Sequence, residues 1–465
     1  MALYIIIIAA YMVLTVGVGL YSRKHVTSSG SYMGADLGLT ICVFAGAGEW
    51  MGGTSTTGVS EYGYIYGISG SWYTLANGIG IMFLALCFAK LFRSLKKVTV
   101  SGIIGRFVGE KARVLSSILL IIVMMIVGTS QMIAVGTLGQ TLFGMNESVS
   151  ILLFGILIIV YTLFGGIFSV GYTNILHMAC MYGGMLLALV LLLGDVGGLS
   201  GMQEVLPSEF WDMGNIGSVK ISSWLIASVL GACTAQAGIQ PVLAAKDEKT
   251  AVKSSVLIAL IVAPFGILTA LLGMIARIKF PELASAKLAL PSLMLSLPAP
   301  AGAVVMAAML AAILSTASPI FLSCGTLFAN DVMSGVMKQE NDVALLYGAR
   351  GATLLSGAIC IAAAALFYSH AMVLDIVYFA YSIRGSIFVI LLLGIYWKKT
   401  SERGVGAGLI LTMLVGSFWV IYKSMNGTYP FCSWFSETYA SVITALVSTV
   451  VCSLIMPEQE KPVTT

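Results

Sequence analysis

Charge is what this sequence lacks most. Of 465 residues only 9% are Asp, Glu, Lys or Arg, while 58% are hydrophobic. A soluble protein of this length would carry about 25% charged residues. The composition therefore excludes a soluble globular class and points to an integral membrane protein with many spans. Histidine occurs three times and proline 11 times. The eight cysteines are scattered through apolar runs without Cys-x-x-Cys or Cys/His spacing, so they read as small apolar residues rather than metal ligands. No Ser/His/Asp set, metal cluster or phosphate loop stands out, so an enzyme is not expected, and neither is a nucleic-acid partner.

Glycine, with 51 residues, is abundant, as suits close packing of helices in lipid. Apolar runs of spanning length fall at about 2–21, 38–60, 67–92, 114–140, 148–167, 172–195, 221–243, 253–277, 299–326, 348–368, 371–397, 404–423 and 439–456. They predict an all-α polytopic protein of about 13 transmembrane helices. The first run lacks a basic n-region and a cleavage site, and Arg23 and Lys24 follow it; it reads as a retained helix with its N-terminus outside. In that orientation most of the 24 Lys and Arg residues fall in inside loops, as the positive-inside rule requires. An odd number of spans then places the C-terminus in the cytoplasm, with 457–465 as a short tail. His25 and His370 read as loop residues. The longest loop, 196–220, lies outside and does not suggest a folded domain.

Two stretches carry chemistry. AGAGEWMGGTST, residues 45–56, places Glu49 among Gly46, Gly48, Gly52 and Gly53 inside an apolar run. In hydrocarbon every backbone polar group needs a partner. A glycine-rich break beside a carboxylate therefore reads either as an ion or solute site, or as tight helix packing with Glu49 in a polar crevice. In 307–332, Ala312, Ser315 and Thr316 share one helical face at i, i+3 and i+4. Two hydroxyls and a carbonyl there are oxygen ligands for a hard monovalent cation, or simply interhelical hydrogen bonds.

Together with YTLFGGIFSVGYTNILH (161–177) and IYWKKTSERGVGAG (395–408), these stretches resemble the sodium/solute symporter family, in order over nearly the whole chain. The resemblance implies a five-plus-five inverted repeat of the leucine-transporter type. Residues 1–37 would form a peripheral first helix and loop, 38–195 core helices 1–5, 221–397 core helices 6–10, and 398–456 two peripheral helices. It implies a Na+ site built from the carbonyls of Ala47, Trp50 and Ala312 and the hydroxyls of Ser315 and Thr316. It also implies an ion exit path near Asn174, His177 and Ser318. Asn174 stands where many members have Asp, and Pro319 replaces a further hydroxyl, so one sodium per cycle is expected. His177 either titrates near neutral pH or is a hydrogen-bonded interfacial histidine.

Some local patterns resemble the choline-transporter branch. Two tryptophan positions of its cage are Ala45 and Ala235 here, which argues against choline itself. Candidate solute-lining residues are Glu49, Trp50, Gln131, Gln236, Tyr378, Tyr381 and Ser382. Arg384 either pairs with a buried acid, reaches an interface or meets a solute carboxylate. The expected function is sodium-coupled import of a small organic solute, an amino acid, amine or related metabolite, across the plasma (inner) membrane. Its partners are that solute, Na+ and the lipid bilayer, with no organic cofactor. A proton-coupled or uncoupled carrier of the same fold and a membrane solute sensor are the alternatives. The sequence does not set the oligomeric state.

Overall fold

The computed structural model describes all residues except 1, 23, 25–27, 35, 164, 165, 368–372 and 458–465. His25 and His370 lie outside the described residues. Among the described residues there is no β-strand, only one isolated parallel bridge between Leu37 and Ala245.

The long helices, in chain order, are α1 (Ala2–Ser22), α2 (Leu39–Trp50), α3 (Val59–Tyr66), α4 (Trp72–Phe83), α5 (Glu110–Phe143), α6 (Glu147–Leu163) and α7 (Gly166–Asp195). They continue as α8 (Ser218–Gly231), α9 (Gln236–Leu243), α10 (Glu248–Lys279), α11 (Ala299–Leu327), α12 (Asp342–Phe367), α13 (Val373–Tyr396), α14 (Glu402–Asn426) and α15 (Glu437–Ile455). Local sequence sets several of their starts. The Asp247 side chain accepts from the Thr250 N–H at the head of α10, and Ser401 accepts from Gly404 N–H at the head of α14. The turn after α3 needs φ +70° at residue 67, where glycine sits.

Among the described residues ten helices are long and apolar enough to cross a membrane, or eleven when α8 and α9 count as one bent span. The expected thirteen are not reproduced as single helices, for a physical reason. The 38–60 run is divided at its glycines, so α2 is too short to span alone. Its second half continues through a turn into the next run as one helical stretch, Thr54–Ser94.

Helix α11 is the centre of the molecule. The most apolar window of Ala299–Val336 is 94% buried inside the protein, against 28% for α1 and for α12. A helix apolar all round and covered all round belongs in the middle of a bundle. It packs against α5 and α7, while α10 packs against α3 and α4, and α14 pairs with α15.

Candidate functional site

Helix α2 ends at Met51, whose φ −117° and ψ 55° leave the helical region, and a π-helical turn over Thr54–Gly58 resumes the path. The break frees main-chain groups inside the bundle, and neighbouring side chains take them up. Gln131 Oε1, on α5, accepts from Gly53 N–H at 2.8 Å. Thr316 Oγ1, on α11, donates to Gly48 O at 2.5 Å and lies 3.3 Å from Glu49 O. Ser315 Oγ lies 3.2 Å from Met51 O and 2.8 Å from Ala312 O. A Cβ at residue 52 would run into Thr316 and Gln131, so glycine there is what allows α11 and α5 this close. The result is a fully buried group of oxygens: two hydroxyls, Ala312 O and the carbonyls around the break. A hydroxyl that donates its one proton keeps lone pairs for a cation, so the donor set suits a hard monovalent ion. The expected carbonyls of Ala47 and Trp50 belong to this same turn; the ones that receive the two hydroxyls are those of Gly48, Glu49 and Met51.

The apolar run 221–243 predicts a single span, and the structure breaks it. Helices α8 and α9 bend by 43° about Ala235, whose φ −70° and ψ 86° are not helical. The start of α9 faces the first break. A Cβ at residue 238 would come within 2.6 Å of both Glu49 Oε2 and Trp50 Nε1, so Gly238 lets the two breaks touch. Glu49 is thereby held at the N-terminus of α9, where a helix favours negative charge.

Its counter-ion comes from α13. Arg384 Nη2 lies 2.7 Å from Glu49 Oε1, and both side chains are wholly buried. The guanidinium also sits over the Tyr381 ring, 4.9 Å from its centroid. Removing one member of such a pair strands the other charge, at a cost of about 3–5 kcal/mol. Of the three readings open for Arg384, pairing with a buried acid is the one seen.

Aromatic rings close over the pair. Trp50 meets Tyr381 edge-on at 5.8 Å, and Tyr73 and Tyr381 share a hydroxyl contact at 3.2 Å. Thr54 Oγ1 adds a 2.9 Å bond to Tyr73. Beyond them Tyr378 stacks on Trp224 at 4.2 Å with only 7° between the planes. Trp224 also lines a cavity of about 630 Å³ shared with Lys220, Ser223, Lys423, Tyr429 and Glu437.

Other expected residues stand elsewhere. Ser382 bonds Thr438 on α15 at 2.7 Å; one step from Tyr381 on a helix turns it about 100° away from the pair. Gln236 is spent on the 98–100 segment, accepting from Val100 N–H and donating to Val98 O. Asn174 Nδ2 donates to Phe44 O at 3.1 Å and approaches Ser315 O at 3.4 Å, placing it beside the oxygen group. Ser318 is buried on α11. His177 bonds the hydroxyl of Tyr11 on α1, so it is a hydrogen-bonded interhelical histidine.

The sequence reading missed Tyr73, Trp224, Thr54 and Gly238. An aromatic pair in GSWYTLANG and the Gly238…Pro241 spacing were the signals available.

Comparison with known proteins decides the family. The sequence profile of the sodium:solute symporter family matches residues 25–412. The chain belongs to the sodium:solute symporter family. One relative is a Bacillus subtilis (strain 168) protein named as an uncharacterized symporter, YwcA. It is 25% identical over 427 residues, covering 87% of this chain and 81% of the relative. A Na+-coupled sialic acid symporter, solved substrate-bound and outward-open, superposes with a TM-score of 0.78 at 16% identity, covering 99% of each chain. Mhp1, a nucleobase-cation-symport-1 family transporter solved closed around bromovinylhydantoin, gives 0.59 at 13% identity, over 91% of this chain and 92% of Mhp1. MhsT in complex with L-phenylalanine gives 0.59 at 13% identity, over 90% of this chain and 99% of MhsT. At these identities the likeness is one of fold. The family and these neighbours are transporters.

Proposed function

We propose that this family member imports a small organic solute together with Na+ by alternating access. The observation that carries the reading is the buried oxygen group at the first break, where Ser315 and Thr316 face the carbonyls of Gly48, Glu49 and Met51. Na+ is the cation such a set suits, and Ala47, Trp50 and Ala312 supply the further carbonyls of that turn and of α11. Bound between α2 and α11, the ion draws the broken helix against the central one. Solute binds on the other face of the same break, at Glu49, Trp50, Tyr381 and Arg384, with Tyr378 and Tyr73 as the rings that must part to admit it. Because both ligands order one segment, each raises the other's affinity.

The proposed architecture is the leucine-transporter-type inverted repeat, 38–195 and 221–397. Both breaks fall in the opening helix of their repeat, which supports it. Counting each broken helix as one crossing, and α6 as another, gives thirteen crossings, with the N-terminus outside and the C-terminus cytoplasmic in the inner membrane. Asn174, beside the oxygen group, and Ser318 would line the ion's way out.

The test is uptake into proteoliposomes under a sodium gradient, with thermal-shift screening first naming the solute. The variant Ser315→Ala/Thr316→Ala should insert and fold yet lose sodium stimulation. Full retention of sodium dependence removes the assignment.

A further inference from the structure

The Glu49–Arg384 pair is not closed on itself. Arg384 spends Nη2 on Glu49, while its Nε and Nη1 have no partner among the described residues. Glu49 Oε2 lies against the backbone of Gly238 at the start of α9 and has no side-chain donor there, so a carboxylate lone pair stays open. All these atoms are buried. Buried polar groups without partners are rare in folded proteins and call for an explanation. Here the open positions are donors on the cation and an acceptor on the anion, side by side at the meeting of the two breaks.

We propose that the transported solute is a small zwitterion, with a carboxylate that docks on an open donor of Arg384 and a protonated amine that docks on Oε2 of Glu49. An α-amino acid is the simplest molecule with that pattern. This rests on the transport reading above and narrows it.

Charge bookkeeping separates the solute classes. A carboxylate without an amine satisfies Arg384 but sets a second anion beside Glu49. An amine without a carboxylate satisfies Glu49 but sets a second cation beside Arg384. Like charges held together in a dry site are strongly unfavourable. A sugar brings no charge to either group. A zwitterion fills both open positions and leaves the net charge of the pocket as it was. A quaternary ammonium fares worst, because the Tyr381 face that would receive it already carries the Arg384 guanidinium. The two open donors, Nε and Nη1, lie on either side of the occupied Nη2, so each offers a carboxylate oxygen a single charged donor.

The test uses the purified full-length protein and reads thermal stabilisation in sodium against potassium. The probes are the standard amino acids, each with its des-amino acid and its decarboxylated amine: alanine, propionate and ethylamine; phenylalanine, 3-phenylpropionate and phenethylamine; and so on, with glucose and choline added. At least one zwitterion should stabilise in sodium, and its two analogues should bind about tenfold weaker or worse. Glu49→Gln should narrow the gap between the zwitterion and its des-amino analogue, and Arg384→Gln the gap to the amine. The proposal is overturned if an analogue lacking one charge, or glucose or choline, binds as well as any zwitterion, or if no zwitterion stabilises. The transport reading is tested separately. If sodium alone stabilises the wild type but not Ser315→Ala/Thr316→Ala, that reading stands even where the zwitterion fails.

Discussion

At the end of the bundle that carries residues 99–113 and 328–336, closure is made of directional polar bonds. Buried Asp331 accepts from Arg113 Nε at 2.9 Å, from Thr99 at 3.1 Å and from Ser101. Gln240 adds bonds to Met33 O and Thr326, and Ser323 donates to Gln240. At the opposite end, closure is made of rings: Trp224 on Tyr378, with Tyr73 edge-on to Tyr378 at 5.6 Å, below the 630 Å³ cavity. In the proposed orientation the polar end faces the cytoplasm and the ringed end faces outward. A ring pair is worth about 0.5–1.5 kcal/mol beyond its area and can slide. A buried ion pair with its hydrogen bonds breaks as a set. The ringed end is thus lightly shut and the polar end bolted.

Substitutions can break that contrast. The largest effect is expected for Arg113→Ala, which leaves Asp331 buried without its cation. Stability should fall by about 3 kcal/mol, read as a lowered melting temperature in detergent. Sodium affinity should fall too, if the bolted end is what keeps the oxygen group assembled. A smaller loss, about 2 kcal/mol, is expected for Trp224→Leu, which gives up the stacking and part of the indole's buried bulk beside an existing cavity. There the melting curve should move less, while solute on- and off-rates in a stopped-flow assay rise. If Trp224→Leu destabilises as much as Arg113→Ala, the two ends are not closed differently. The smallest effect belongs to Ser382→Ala. It loses the bond to Thr438, about 1 kcal/mol or less, and the solute KM should be unchanged. A changed KM would return Ser382 to the solute site.

The first break was legible because a carboxylate and four glycines inside an apolar run have few other uses. The hydroxyl pair was legible because i, i+3 and i+4 fix a face once a helix is granted. The second break was not. Around Ala235 the sequence offers alanine, cysteine and threonine, all acceptable in a membrane helix, and only Gly238 and Pro241 hint at the bend. Which face of α13 meets the pair was equally hidden. Tyr378, Tyr381, Ser382 and Arg384 follow one another on a helix with no polar side to give its phase, so the sequence groups Ser382 with its neighbours and leaves three readings for Arg384. The thirteen expected spans do not each appear as one helix for a related reason: a hydropathy window sees an apolar run, not the place where a run snaps or joins the next.

The lone bridge between Leu37 and Ala245 has reach beyond its size. Leu37 N–H bonds Ala244 O at 2.8 Å, and Lys246 N–H bonds Leu37 O at 2.9 Å. Arg93 clamps the same spot through Ala245 O. One of these residues leads into α2 and the others trail out of α9, so the two snapped helices are yoked at their bolted ends. A tilt of either half drags its twin through main chain, by a linkage that bypasses the cargo. Unlocking that face would then be a single paired stroke, not two independent ones.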